Sequence, residues 1–444
     1  MTKLSGLAIL VVAVLSLCWS VYRDIQLEKL YPGDLRNRIV GARLQKDGKM
    51  PYFYKWKPAD GIRYYDPQNF DSLRVSTSTA SPFFHMLLYP IADLQQRTIS
   101  RLWVFVQYLL LFAMVGMALT FAATVVQKML VMLIAASFLF TEAWINLIAP
   151  GQLYLFIPFL AMLVYFFLRR KNQLTAALLA GLSAVSLFLI RPNTVLMFIP
   201  FLFLAGSYSR KYIIAFLVPV FLMLAWVAGN PYQRALWTEY AQGLSEQVKL
   251  HQDMGPTIQQ NEKDPVFASW EGWNTAEIEK ANASTSYINY SENGNVFVLA
   301  RDVLGIHLSP KLLMIASFSI IFIITLVFYF WSRKSDFAIY NLAILGVCLY
   351  MISDLFSPVY RHQYYTVQWF YPLLLAAAGY TKRYNRIYIF IISGLILNII
   401  NSPYIKMEHT LGEYIIFAAL LLLAFMYKQA KPYSNHIYPN YQNL

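Results

Sequence analysis

Long apolar runs constrain this chain more than any other feature. The hydrocarbon core of a bilayer takes about 17 to 25 residues of helix to cross. Runs of that order recur at 5–22, 102–126, 129–148, 151–168, 173–190, 193–207, 211–228, 311–332, 337–356, 364–380, 386–400 and 411–427. They predict an all-α polytopic membrane protein with about twelve transmembrane helices. Only 13% of the residues are charged and 58% are hydrophobic, whereas a soluble domain carries roughly a quarter charged residues.

Lys and Arg collect in short cytoplasmic loops. Alternating the segments from a cytoplasmic N-terminus puts Lys128, Arg169-Arg170-Lys171, Arg210-Lys211, Arg333-Lys334, Lys382-Arg383 with Arg386, and Lys428 with Lys431 on that one side. The net charge of +13 then reflects loops facing anionic lipid and gives no reason to invoke nucleic acid. Residues 5–22 follow Lys3 as a signal peptide would, but no small-x-small cleavage site follows and Leu17 precedes Cys18, so a retained helix is expected. Cys18 and Cys348 both fall in expected helices, so no disulfide framework is implied.

Two polar stretches, 23–101 and 229–310, are too long for turns, and the alternation places both outside the cytoplasm. The chain therefore divides into an N-terminal transmembrane module at 1–228, an extracytoplasmic loop domain at 229–310 and a C-terminal transmembrane module at 311–444. Within the first module SPFFHMLLYPIADL is too short to cross and is expected as a re-entrant or interfacial segment at about 81–97. The loop domain mixes Trp237, Trp270, Trp273, Tyr287 and Tyr290 with polar residues, which suits stacking on sugar rings and equally suits a membrane interface.

Polar residues near the outer ends of the helices are the candidates for chemistry, because such groups at membrane depth are expensive. They are Asp34, Glu142, Asn146, Gly151-Gln152, Arg191, Asp354, Arg361 and His362. Together they supply one carboxylate able to take a proton and cations able to hold a leaving phosphate, the parts that glycosyl transfer from a lipid phosphate requires. Each also has a plainer role. Asp34 suits a Pro-Gly-Asp turn, Arg191 a snorkelling arginine, His362 the interface, Gly151-Gln152 a helix-start turn and Glu142 a pairing inside the bundle.

Taken in order, these pieces resemble the family-87 membrane glycosyltransferases, the polyprenol-phosphate-mannose-dependent group with a GT-C fold. GDLRNRIVGARLQKDGKMPYFYKW at 33–56 resembles the opening motif, in which an Asp after the first helix is followed by a helical run, a Gly and a Pro-Tyr pair; Asp34, Gly48 and Pro51-Tyr52 match it. SPFFHMLLYPIADL, with His85, resembles the Tyr-Pro-Pro, apolar, Pro-Leu stretch. INLIAPGQLYLFIPFLAML, with Asn146 and Gln152, resembles the Gly-Gln-x-Asn segment. AALLAGLSAVSLFLIRPNTVLMFIPFLF resembles the helix ending in Lys-Pro, with Arg191 in place of Lys. SPVYRHQYYTVQWFYPLLL resembles the Ser-Pro-x-Ser-Trp-x-His segment, with His362 one position early.

The resemblance implies an inverting hexosyltransferase, of mannose in the family, that works from a polyprenyl-phosphate sugar onto an extracytoplasmic glycolipid or glycan in the inner (plasma) membrane, without a cofactor. It implies Asp34 as the base, Arg191 and His362 with Arg361 at the donor phosphate, and Tyr52, His85, Gln152 and Asn146 at the substrates. The amphipathic stretch RNRIVGARLQK is then expected on the membrane surface beside the donor. No Asp-x-Asp and no close His or Cys pair is present, so no metal is expected. A GT-C transferase of a pentose or aminoarabinose, or one acting on protein, is the nearest alternative, and a transporter or lipid flippase a more distant one.

Overall fold

The computed structural model describes residues 3–27, 33–66, 75–76, 78–170, 173–253, 294–332, 339–400 and 407–426. Among the described residues every regular element is helical. The first half comprises α1 (Lys3–Leu27), α2 (Gly33–Lys46), α3 (Pro82–Leu88), α4 (Gln96–Phe121), α5 (Val125–Phe138), α6 (Glu142–Ile148), α7 (Phe156–Leu168) and α8 (Leu174–Ile190). After a 3₁₀ stretch at Pro192–Ser207 come α9 (Arg210–Gly229), α10 (Pro231–Asp253), α11 (Val296–Leu304), α12 (Pro310–Ser332), α13 (Ile339–Leu355), a 3₁₀ turn at Gln363–Trp369, α14 (Phe370–Ala378), α15 (Asn385–Leu397) and α16 (Glu408–Met426). Trp270, Trp273, Tyr287 and Tyr290 lie outside the described residues.

Among the described residues five helices are long and apolar enough to cross a bilayer: Gly6–Gln26 within α1, α4, α9, Pro310–Trp331 within α12, and α16. Two more join as a sixth if α5 and α6, bent by 60°, count as one span. The bend has a local cause. The Thr141 hydroxyl donates to the carbonyl of Phe138 (2.7 Å) and accepts from the backbone N–H of Trp144 (3.2 Å), closing one helix and capping the next. The run expected to start at 151 likewise becomes helical only at Phe156, because residues 150–155 form a turn.

Only 6% of the apolar window of α9, 17% of that of α1 and 22% of that of α12 is buried, against 56% in α4. Exposed apolar faces of that extent are unfavourable in water and ordinary against lipid. The centre is held by α13, buried on nearly every side. There Gly346 lets the 3₁₀ stretch approach so closely that a Cβ would meet the Met197 carbonyl oxygen at 2.1 Å. Small residues at such crossings are how membrane helices gain contact without a hydrophobic driving force.

The polar helix α2 departs from expectation. It does not lie on a surface; every residue from Leu35 to Gln45 is buried. Its arginines are satisfied by backbone carbonyls of the surrounding loops, Arg36 by Tyr65 and Ile62 and Arg43 by Ala92 and Arg63. Above it runs α10, which spans roughly 34 Å at 1.5 Å per residue. The Tyr232 hydroxyl donates to Gln45 O at one end, Gln247 to Ser76 O in the middle, and Gln252 to Pro358 O at the other end.

Asp24 ties α1 to the bundle. Its fully buried carboxylate accepts from the Tyr108 hydroxyl (2.7 Å), the Trp144 indole N–H (2.7 Å), Ser20 (3.3 Å) and Arg23 (2.9 Å). Asp24→Ala strands buried donors on α4 and α6, so it is expected to lower stability by on the order of 3 kcal/mol. Thermal unfolding in detergent checks this; an unchanged midpoint would show that the carboxylate is not a tie.

Candidate functional site

Asp34 sits in the first turn of α2, where the partial positive charge of a helix start favours a carboxylate. The backbone there is fixed by the N–H of Leu35 donating to Pro150 O (2.9 Å). The facing turn can come this close because Gly151 lacks a side chain; its φ is +75°, and a Cβ would lie 2.5 Å from that of Leu35. Gln152 is fully buried and donates its amide N–H to Asp34 Oδ2. Its carbonyl accepts from Arg38 Nη2 (2.5 Å), while Arg38 Nη1 donates to Gly151 O (3.1 Å). Asp34 and Arg38 are four residues apart and share a helix face.

The second group is a run of alternating charges joining the ends of α8, α13 and α16. Arg191, which caps α8, donates to Asp354 Oδ1. Arg361 gives its Nε to Asp354 Oδ2 (2.6 Å) and its Nη1 to Glu413, which also accepts from the Trp369 indole (2.6 Å). Two cations thus meet two carboxylates, as buried charges require. The Arg191 side chain remains 20% exposed and that of Arg361 2%, so Arg191 is the cation an incoming ligand can reach. Its guanidinium lies over the rings of Tyr365 (4.8 Å), Tyr154 (5.3 Å) and Tyr350 (5.8 Å). Arg361 Nη2 has no hydrogen-bond partner and lies beside a polar pocket also lined by His362, Gln363, Thr366, His409 and Thr410.

Tyr364 joins the two groups. Its ring packs with those of His362 (5.2 Å), Tyr154 (5.2 Å) and Tyr365 (5.1 Å), and the charges of Asp34, Arg38 and Arg191 all act on it. Asn146 on α6 donates to Gln363 (2.6 Å), fixing the start of the same turn. Tyr52 and His85 stand apart. Tyr52 donates to Ala80 O (2.9 Å) and stacks on His85 (5.9 Å), which lies within hydrogen-bonding distance of Ser78 (3.1 Å); both rings are buried beneath α2 and α10. Tyr240 of α10 connects them to the rest, since it packs on Tyr52 (5.3 Å) and feels the charge of Arg191.

The arrangement therefore offers a carboxylate held in a fixed orientation, a partly open cation and a wall of aromatic rings, with a polar helix across the top. Sequence reasoning missed Arg38, Glu413, Tyr240, Tyr364 and Tyr365. Glu413 carries a signal, an acid within an apolar helix; Arg38 stands one turn beyond Asp34 on a helix misjudged as superficial. Among the described residues no group of three or more His, Cys, Asp or Glu side chains is placed to hold a metal ion.

The family model of glycosyltransferase family 87 matches residues 79–358, more than half of the chain. The matched span contains His85, Asn146, Gln152, Arg191 and Asp354; Asp34 precedes it and His362 follows it. No curated protein and no solved structure matches the chain.

Two neighbouring histidines give this end of the molecule a pH response. Burial pushes His362 down to about 4, and burial together with nearby His362 pushes His251, whose Nδ1 accepts from the Tyr360 N–H (2.8 Å), down to about 3. The unfolded chain takes up these protons near 6.5. The stabilisation is therefore complete above pH 6.5 and is lost as the pH falls from there towards about 4 for His362 and about 3 for His251. The thermal midpoint is expected to drop through that window, and His251→Gln to flatten the drop; identical pH profiles for the two proteins would contradict it.

Proposed function

The chain belongs to glycosyltransferase family 87, which makes it a membrane glycosyltransferase, and we propose that it transfers a hexose from a polyprenyl-phosphate sugar to a hydroxyl of an extracytoplasmic glycolipid or glycan. Mannose is the sugar the family resemblance favours. The observation that carries this reading is the convergence on Tyr364 of a carboxylate fixed by Gln152 and a cation fixed by Asp354.

In the proposed step the acceptor hydroxyl oxygen bonds to the anomeric carbon from the face opposite the phosphate, and its proton passes to Asp34. The bond from the anomeric carbon to the phosphate oxygen breaks, and polyprenyl phosphate leaves with both bonding electrons. Configuration inverts. Arg191 meets the charge growing on the phosphate, His362 donates an N–H from its neutral ring, and Arg361, already matched by two carboxylates, stands behind them. Tyr154, Tyr240, Tyr364 and Tyr365 offer the faces on which a sugar ring stacks, and Tyr52 and His85 support that wall from below.

We place the site on the outer face of the inner membrane, with the N-terminus cytoplasmic, about twelve crossings, and 229–310 as an outer cover. Supporting this, Asp34, Gln152, Arg191, Asp354, Arg361 and His362, which the loop charges assign to one side together with Asn146, are joined by direct contacts or through Tyr364, and Asn146 bonds to Gln363 of the same turn. Length is not an obstacle for the 3₁₀ stretch. At about 2.0 Å per residue its 16 residues rise roughly 32 Å, enough for a core of about 30 Å.

Purified protein in detergent, given radiolabelled synthetic polyprenyl-phosphate sugars and a membrane lipid extract as acceptor, is expected to transfer one of those sugars. Asp34→Asn should lower turnover about 10²- to 10⁴-fold while retaining donor binding and its size-exclusion profile. Equal turnover by the variant would remove Asp34 as the base, and use of nucleotide sugars alone would remove the lipid-phosphate donor.

A further inference from the structure

Gln152 is fully buried, and both ends of its amide are engaged. Because Arg38 can only donate, its bond to Gln152 Oε1 settles which way the amide faces, and the NH₂ group must point at Asp34. Arg38 grips the carbonyl of Gly151 with its other terminal nitrogen, so the guanidinium fork spans backbone and side chain of one turn. The same turn accepts the Leu35 N–H through Pro150 O and carries its own N–H to Leu147 O (2.8 Å). Gln152 has no exposed surface, so a substrate does not reach its amide. Everything in this linkage bears on the orientation and charge of one carboxylate.

We infer that Gln152 and Arg38 form a positioning pair for Asp34, with Arg38 orienting the Gln152 amide and the amide holding the carboxylate plane towards the acceptor hydroxyl. This role presupposes that Asp34 is the base. It takes Gln152 out of the set of substrate contacts and adds Arg38, whose charge one turn along the same face favours the ionised carboxylate. The logic is that of an oriented base, in which a third group fixes the one that moves the proton.

The test compares wild type, Asp34→Asn, Gln152→Leu, Arg38→Met and the double variant in full-length protein, using the polyprenyl-phosphate sugar that the wild type turns over. Gln152→Leu is expected to lower kcat about 10- to 100-fold, the effect of a misplaced reacting group, with KM for the donor within about twofold. The acid limb of the kcat profile should move up by about one pH unit, because the ionised base has lost a donor. Arg38→Met should do the same, and the double variant should be no worse than the poorer single one, as for residues acting as a unit. Should Gln152→Leu fail to fold, Arg38→Lys reads the same limb, since lysine keeps the charge but cannot reproduce the two-pronged grip.

An inactive Asp34→Asn with a raised KM and an unmoved acid limb in Gln152→Leu would make Gln152 a substrate contact and overturn the pair, leaving the base in place. A fully active Asp34→Asn would remove the base and the pair together.

Discussion

A cationic helix buried away from water must find acceptors, and much of the site follows from how α2 finds them. Arg36 draws in the carbonyls of Ile62 and Tyr65, Arg43 those of Arg63 and Ala92, Gln45 that of Pro82, and Asn37 the carboxylate of Asp66. Apart from Pro82, which opens α3, these acceptors lie between the longer helices, Ile62 and Arg63 within the 3₁₀ turn at Ile62–Tyr64. Leaving one such donor unmatched costs about 1–3 kcal/mol, more for a charged group. The loops therefore wrap α2 closely, and its first turn, with Asp34, is delivered against the turn at 150–152 rather than into solvent.

The charges on the other side obey the same rule. Arg191, Asp354, Arg361 and Glu413 come from four separate places in the chain and neutralise one another in sequence. Only the first is partly exposed. A row of this kind keeps a cation at full charge in a low-dielectric setting while holding it still, which is what stabilising a leaving phosphate demands. Tyr154, Tyr364 and Tyr365 pack on one another beside Arg191 and present flat faces to whatever enters there.

Much of this is legible in the sequence. The apolar runs locate helices, because burial in lipid needs only an apolar composition, and the polar groups at their ends mark the candidate site because such groups are unfavourable there. Asp34, Gln152, Arg191 and His362 are recognisable on those grounds together with the order of the motifs. Other features escape because they depend on contacts distant in the chain. The bend at Thr141 is a hydrogen-bonding choice inside an apolar run. The burial of α2 reverses what its composition predicts, since the carbonyls that satisfy its arginines are supplied by residues 62–92. The approach of Tyr240 and Tyr364 to the charged groups rests on α10 lying across the bundle, and no local pattern announces that path.

The central claim is that a lipid-borne phosphate enters between Arg191 and Asp34, and imaging a bound donor tests it most directly. A cryo-EM reconstruction of the full-length protein with a non-hydrolysable phosphonate analogue of polyprenyl-phosphate mannose is expected to show the phosphonate at the Arg191 guanidinium. The sugar should lie against Tyr364 and Tyr365, with its anomeric carbon facing Asp34. Density for the phosphonate at another end of the helical bundle, with Arg191 still closed on Asp354, would contradict the account.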